Sequence, residues 1–532
     1  MKTPLPGPGG VLSLERTLAS APDPLALYRH LTGDAPDTLL LESLDASTKE
    51  AERSFLVTRA ALRADCRGRT VTIRALGGNG AAALPHLADR LRARAESVDQ
   101  NADGLVAVFP PSPTEASEEA RLHAPTPLDA LRALATGWTR LGQTHPYAVL
   151  TAGVFSYDFL GTFERLPDEQ ADPLGFPDFQ FWLPDRVIAL DHRRGTATLL
   201  ALVVGGEGAE ERYHDASAAI AALTEAVERC PTPNPPPPAP EATPPVPDLS
   251  DDRFGDLVLR CKEHITRGDV FQIVPSRTFS TPCADALAAY ARLRALNPSP
   301  YMFYVRGPDH TVLGASPETA LKVSGSPKTV EIRPIAGTAA RGRHADGRID
   351  ADLDGRIETR LRLDEKELAE HMMLIDLARN DVARVSVPGT RHAPAILTVD
   401  RYHHVMHLVS YVEGRLRDDL DALHAYAASM NMGTVVGAPK IRAATLLRRY
   451  EATRRGPYGG AVGYLTSDGE MDSALVIRTA VVTDGRAYVR AGAGVVHDSD
   501  PAGETLETQR KAQAVLDALG RAAETRSEDR DA

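Results

Sequence analysis

Two pairs of glutamates, each with a three-residue spacing, carry the first chemistry legible in this chain. Glu367 and Glu370 lie in the stretch 364–381, where Leu368, Met372, Ile375 and Ala378 recur at helical spacing. Both carboxylates therefore fall on one helix face, one turn apart. Stacked like charges repel by roughly a few tenths of a kcal/mol, so the pair calls for a nearby cation. Taken alone, it reads most simply as a solvated acidic face beside Lys366. Glu504 and Glu507, in 500–511, repeat the spacing. Together the two pairs offer the oxygen-only corners of a magnesium site with open positions for an anionic substrate.

The elements that must hold such a site come from a chain of 532 residues, long enough for two or more domains with sizeable cores. A net charge of −12, with no basic run interleaved with aromatics, argues against a nucleic-acid partner. Cys66, Cys230, Cys261 and Cys283 have no metal-ligand or disulfide spacing, which fits a reduced cytoplasmic setting. The first residues lack an apolar targeting core. No later apolar run reaches the roughly 20 residues a membrane span requires.

Along residues 1–228, short strand-like runs at 38–43, 54–57, 70–73, 148–157, 179–183 and 186–190 alternate with loops, and 128–138 reads as a helix. Prolines crowd 231–247, which fixes φ and removes donors, so 229–250 reads as an extended linker. From 251 to 520 helices and strands alternate irregularly, with helices at 254–267 and 285–296, the central acidic helix, and a last one through Lys511. Residues 521–532 form a polar tail. Irregular alternation favours an α+β fold, a helix-flanked antiparallel β-sandwich, over a doubly wound sheet.

Several separated motifs occur here in one order: Gln272 in Phe-Gln-Ile-Val-Pro-Ser, Glu318 in Ala-Ser-Pro-Glu, Ala336 in Pro-Ile-Ala-Gly-Thr, the central helix, His407, Tyr458, Arg478, 491–494 and Lys511. Together they resemble the chorismate-utilising enzymes and, within them, the anthranilate synthase component I group. Leu-Leu-Glu-Ser at 40–43 and Gly-Val-Phe-Ser-Tyr-Asp at 153–158 extend the resemblance across the whole chain.

The resemblance implies a component I type of sandwich and a magnesium-dependent amination of chorismate. Glu370 and Glu507 are then direct metal ligands, and Glu367 and Glu504 act through bound water. Arg478 matches the residue that forks onto a substrate carboxylate. Tyr458 and the main chain at Gly492, Ala493 and Gly494 complete that pocket, with Gly337 and Thr338 also on substrate and Lys511 adding charge. Glu318 matches the general acid that protonates the departing C4 hydroxyl, a role that needs a raised pKa. His407 assists at the C2 end, as base or as orienting group. Thr338 joins Glu318 and His407 in the catalytic set.

Two positions bear on the choice of reaction. Enzymes of the family that add water at C2 carry lysine where Gln272 stands, and aminodeoxychorismate synthases of component I type carry a nucleophilic lysine where Ala336 stands. Neither residue here does that chemistry. Ammonia addition and anthranilate formation, the first committed step of tryptophan biosynthesis, are expected. Aminodeoxychorismate, aminodeoxyisochorismate or isochorismate synthesis is the alternative. No cysteine sits on a Gly-x-Cys-x-Gly elbow, so ammonia is expected from a separate glutamine amidotransferase subunit, in a heterotetramer. Glu42 and Ser43, with Pro300, Tyr301 and Met302, resemble the tryptophan-binding elements of feedback-inhibited members. Residues 1–228 are accordingly expected to be regulatory and 251–520 catalytic, although a buried strand end against a proline turn is also ordinary packing.

Overall fold

Two strands of the first segment, Ala51–Arg67 and Phe179–Asp191, pass through both layers of the fold and set its architecture. They are seen in a computed structural model that describes residues 5–520 apart from 45–50, 114, 143–144, 168–169, 234, 241–242, 345–346 and 402–404. The expected tail at 521–532 lies outside the described residues. The two long strands pair with each other, and the register shifts between Val57 and Leu62, opposite Pro184. Proline brings no N–H to the ladder, and extra residues on the facing strand absorb the mismatch as a bend. The gap expected between the runs at 179–183 and 186–190 is therefore a corner, at Pro184, within one continuous strand.

Beyond this corner the strand halves enter different sheets. In the first sheet, Ala51–Arg67 pairs with Thr38–Leu44, which pairs in turn with Tyr301–Arg306 of the second segment. That sheet continues through Thr311–Ser316, Thr479–Thr483, Arg486–Gly492 and Ser276–Pro282. In the second sheet, Phe179–Asp191 pairs with Leu150–Phe155 and then Ala461–Thr466. Met471–Leu475, Thr319–Ser324, Thr329–Ile332 and Val405–Arg415 follow. The named strands pair antiparallel except for Gly10–Leu18 with Thr139–Arg140. The result is the α+β sandwich, and both of its sheets are sewn from both segments. One core cluster likewise joins Leu87, Phe155 and Phe181 to Ile375, Val382 and Leu447.

Two helices present the glutamates. The helix Glu365–Val385 is capped by Asp364, whose carboxylate accepts from the amides of Lys366 and Glu367. It buries His371, Leu374, Ile375, Ala378, Val382 and Val385, whereas Met372 is 43% exposed. The buried stripe is thus rotated from the expected one. His371, polar in the sequence, is drawn inward by a 2.7 Å hydrogen bond with the Ser410 hydroxyl. The helix Pro501–Leu519 starts at Asp500, whose side chain accepts from the Gly503 amide at 2.8 Å, and stops at Gly520 with φ 110°. It packs along Arg486–Gly492 and against the helices Asp251–Thr266 and Ala286–Leu296.

Candidate active site

Glu318 sits where the chain turns from Thr311–Ser316 into Thr319–Ser324, and the turn is fixed from both sides. The Ser316 hydroxyl accepts from the Glu318 amide, and the Leu475 amide donates to the Glu318 carbonyl at 2.9 Å. The carboxyl is buried and accepts a 2.9 Å hydrogen bond from the Thr434 hydroxyl. Burial pushes its pKa up to about 8, against the opposing pull of Thr434, Lys511 and Arg478. It is a carboxylic acid that keeps its proton at neutral pH.

Arg478 lies between Met471–Leu475 and Thr479–Thr483 with φ 52°, a left-handed conformation uncommon for a side-chain-bearing residue. Its carbonyl accepts from the Ala315 amide at 3.2 Å, which holds the turn in place. The guanidinium forms no ion pair among the described residues, yet it sits in the fields of Tyr458, Glu507 and Glu318, and burial lowers its pKa. A half-buried cation without a carboxylate partner is poised for an incoming anion.

Tyr458 and the 492–494 backbone adjoin it. A Cβ on Gly492 would stand 2.8 Å from the Tyr458 hydroxyl and 2.9 Å from the Pro275 carbonyl, so only glycine fits. The Gly492 carbonyl accepts from the Lys511 ammonium at 3.1 Å, and the same ammonium pairs with Glu507. The Ala493 amide donates to the Pro275 carbonyl at 3.1 Å. Successive peptide groups of an extended strand alternate in direction, so the amides of Gly492 and Gly494 point the other way. The Ala493 amide, by contrast, is engaged with the sheet.

The two glutamate pairs meet across the two helices. Glu370 is pushed up to about 7, first by burial and then by Glu367, Glu507 and Glu504, with Lys366 opposing. Burial also raises Glu367 and Glu504. The lowering of Glu507 by Lys511 and Arg478 outweighs its burial. Glu504 Oε2 is buried with no hydrogen-bond partner among the described residues. Four oxygen-only side chains, with Glu507 adding to the rise of the other three and an orphaned acceptor among them, fit a hard divalent cation. The exposed trio Glu119, His123 and Asp419 is a different case, because Arg417 already pairs with both of its carboxylates.

Gly337, at φ 71°, approaches this group closely, since a Cβ there would stand 3.2 Å from Glu367 Oε2. Thr338 lies opposite His407 in the ladder between Ile335–Ala340 and Val405–Arg415, and it follows Gly337 in the chain. The Thr338 side chain lies outside the described residues.

The remaining expected residues surround a separate cavity of about 650 Å³ lined by Glu42, Ser43, Pro300, Tyr301 and Met302. Ser43 faces Tyr301 and Glu42 faces Met302 in the strand register. Strand alternation sends the second pair to the opposite face, toward the helix Ala286–Leu296. There the Glu42 carboxylate accepts from the Tyr290 hydroxyl at 2.6 Å and pairs with Arg294 at 3.0 Å. Tyr301 shares a 2.9 Å hydrogen bond with the Thr319 hydroxyl, one residue from Glu318, and donates to Asp472 at 3.1 Å. Thr434 was not singled out by the sequence. It lies in the four-residue helix Gly433–Val436, and nothing local marks its hydroxyl as a partner of Glu318.

The chain belongs to the chorismate binding enzymes, whose family profile matches residues 88–517, and it is a chorismate-utilising enzyme. Over 506 residues it is 46% identical to anthranilate synthase component 1 of Salmonella typhimurium, covering 94% of this chain and 95% of the relative. The component 1 protein of Escherichia coli K12 is likewise 46% identical over 511 residues, covering 94% and 95%. A crystal structure of anthranilate synthase component I from Streptococcus pneumoniae shares the fold with a TM-score of 0.68 and 29% identity, over 88% of this chain and 92% of that one. No described helix is long and apolar enough to cross a membrane.

Proposed function

We propose that this chain is the large subunit of an anthranilate synthase, aminating chorismate with ammonia and releasing pyruvate. The observation that carries the reading is the convergence of a protonated buried acid, Glu318, a cation with no ion-pair partner among the described residues, Arg478, and four metal-suited glutamates on one site. Arg478 takes one substrate carboxylate in a forked contact, supported by Tyr458 and the Gly492 and Gly494 amides. Glu370 and Glu507, with Glu367 and Glu504 beside them, are the residues that would hold magnesium. When bound, the ion neutralises the ring carboxylate and draws electron density from the ring.

Ammonia adds its lone pair at C2, the ring double bonds shift, and the C4–O bond breaks. The departing oxygen takes the Glu318 proton and leaves as water. Loss of a proton from the new ammonium gives 2-amino-2-deoxyisochorismate. Removal of the C2 hydrogen then expels the enolpyruvyl group, which gains a proton and leaves as pyruvate, and the ring becomes aromatic. His407, beside Thr338, serves this end of the ring as base or orienting group. Gln272 and Ala336 support ammonia as the nucleophile, since neither replaces the lysine that water addition or covalent attack requires.

A glutamine amidotransferase subunit supplies the ammonia, consistent with the component 1 naming of the relatives. Tryptophan occupies the 650 Å³ cavity and inhibits by shifting a conformational equilibrium. The test is incubation of the purified chain with chorismate, magnesium and ammonium while following anthranilate fluorescence. Growth of that signal, suppressed by tryptophan, is expected; a non-fluorescent amino or hydroxy product would reject the reading.

A further inference from the structure

The run 153–158 supplies no group to the site described, yet it lies against a deeply buried cation. Its Tyr157 ring faces the Arg455 guanidinium, whose central carbon is 4.4 Å from that ring centroid and 5.7 Å from the Tyr458 centroid. Arg455 is 2% exposed, and a guanidinium so deep is costly unless its charge and donors are met. Nε and one terminal nitrogen donate to the two oxygens of Glu451, at 2.8 and 2.7 Å. Two further bonds go to main-chain carbonyls, those of Val435 and Val274, both at 2.7 Å. Glu451 is itself held by the Ser276 amide and hydroxyl, at 2.9 and 2.8 Å, and by Arg490 at 2.9 Å. The backbone after Arg455 is tied to the same run. The Gly456 amide donates to Asp158 at 2.7 Å, and its carbonyl accepts from the Tyr157 amide and the Ser156 hydroxyl.

The neighbours of this guanidinium each lead to a group of the site. Val435 follows Thr434, whose hydroxyl donates to Glu318. Val274 precedes Pro275, whose carbonyl anchors the Ala493 amide between Gly492 and Gly494. Tyr458 borders Gly492 directly. We infer that Arg455 is a positioning residue for the amination of chorismate, setting Tyr458, the Thr434–Glu318 contact and the strand beside Gly492 at fixed distances from one another. The inference rests on the anthranilate synthase reading and deepens it. An apolar side chain of similar volume would fill the space beside two tyrosine rings without the cost of a buried charge. It would not direct the carbonyls of two separate elements. A planar cation that stacks on aromatic rings and aims several donors in fixed directions does both, and a lysine ammonium on a flexible stem does not.

The experiment measures steady-state anthranilate formation by the full chain with ammonium salts across pH, for the wild type, Arg455→Lys, Tyr157→Leu and a control, Arg63→Lys. Arg63 is also buried, and its partners Asp37 and Asp65 lie in the first segment. In Arg455→Lys the KM for chorismate should rise about tenfold as Tyr458 shifts, and kcat should fall. The alkaline limb of kcat should also move to higher pH. The Thr434 hydroxyl lowers the Glu318 pKa, and its displacement leaves burial opposed only by Lys511 and Arg478. Tyr157→Leu keeps the hydrogen bonds of the guanidinium and removes the ring against it, so it should give the same changes with a KM raised about threefold. Arg63→Lys should lower the melting temperature and alter neither the KM nor the pH profile. Lowered melting temperatures in Arg455→Lys and Tyr157→Leu, with the KM and pH profile of the wild type, would make Arg455 a packing residue and overturn the inference. If Arg455→Lys does not fold, Tyr157→Leu decides by the same criterion. A wild-type chain that makes no anthranilate in the same assay removes the parent reading and this inference with it.

Discussion

Replacing Glu318 by glutamine separates the chemistry of the site from its architecture. Glutamine keeps the shape and retains an oxygen for the Thr434 hydroxyl, but it carries no proton to give. The Glu318 carboxyl is pushed from an ordinary 4.5 to about 8, chiefly by burial. At about 1.4 kcal/mol per pKa unit, holding it ionised in the fold costs on the order of 5 kcal/mol. The folded chain keeps this proton to higher pH than the unfolded chain does. Its contribution is therefore intact below about pH 4.5, is lost progressively as pH rises to about 8, and changes no further above that. Glu318→Gln lacks this dependence, so its stability relative to the wild type should grow by about 1.4 kcal/mol per pH unit across that window. Urea unfolding of both proteins at several pH values reads this difference directly. In turnover the variant should lose about 10²–10⁴-fold. Wild-type kcat should fall about tenfold per pH unit above about 8, as the acid deprotonates. A stability difference that does not vary with pH, or a variant that keeps wild-type kcat, would refute the assignment.

Other expectations follow from the same geometry. Arg478→Lys keeps a positive charge but loses the planar fork, so the KM for chorismate should rise by about tenfold or more in steady-state assays while the melting temperature holds. Ser43→Phe fills part of the 650 Å³ cavity and should relieve tryptophan inhibition with uninhibited turnover nearly intact, as inhibition curves would show. Gly437→Ala would place a methyl 2.2 Å from the Gln272 carbonyl at a φ of 122°, and it should destabilise by roughly 2 kcal/mol or more in chemical denaturation.

How much of this was legible in the sequence depends on the range of the interaction. The i, i+3 spacing of each glutamate pair is local, and so are the caps at Asp364 and Asp500, so the two helices could be drawn from their own residues. That the helices meet could not, because no local pattern ties residue 370 to residue 507; the family resemblance supplied it. The buried stripe of the central helix was misplaced because hydrophobic periodicity gives no weight to His371, which Ser410 pulls into the core. A break at Pro184 is what a strand rule gives for an isolated segment. The facing bulge that absorbs it lies more than 120 residues away. The proline-rich stretch marks a change of composition, yet the pairings of 38–44 with 301–306 and of 150–155 with 461–466 cross it freely. The roles of Thr434 and Arg455 became visible only once side chains from distant elements faced each other.

The central claim is that two acidic pairs, from helices far apart in the chain, hold one divalent ion. Calorimetric titration of magnesium into the wild-type chain and into Glu370→Gln and Glu507→Gln tests it most directly. One site per chain, with binding abolished or weakened at least about tenfold in either variant, is the predicted result. Magnesium binding unchanged by both substitutions would contradict it.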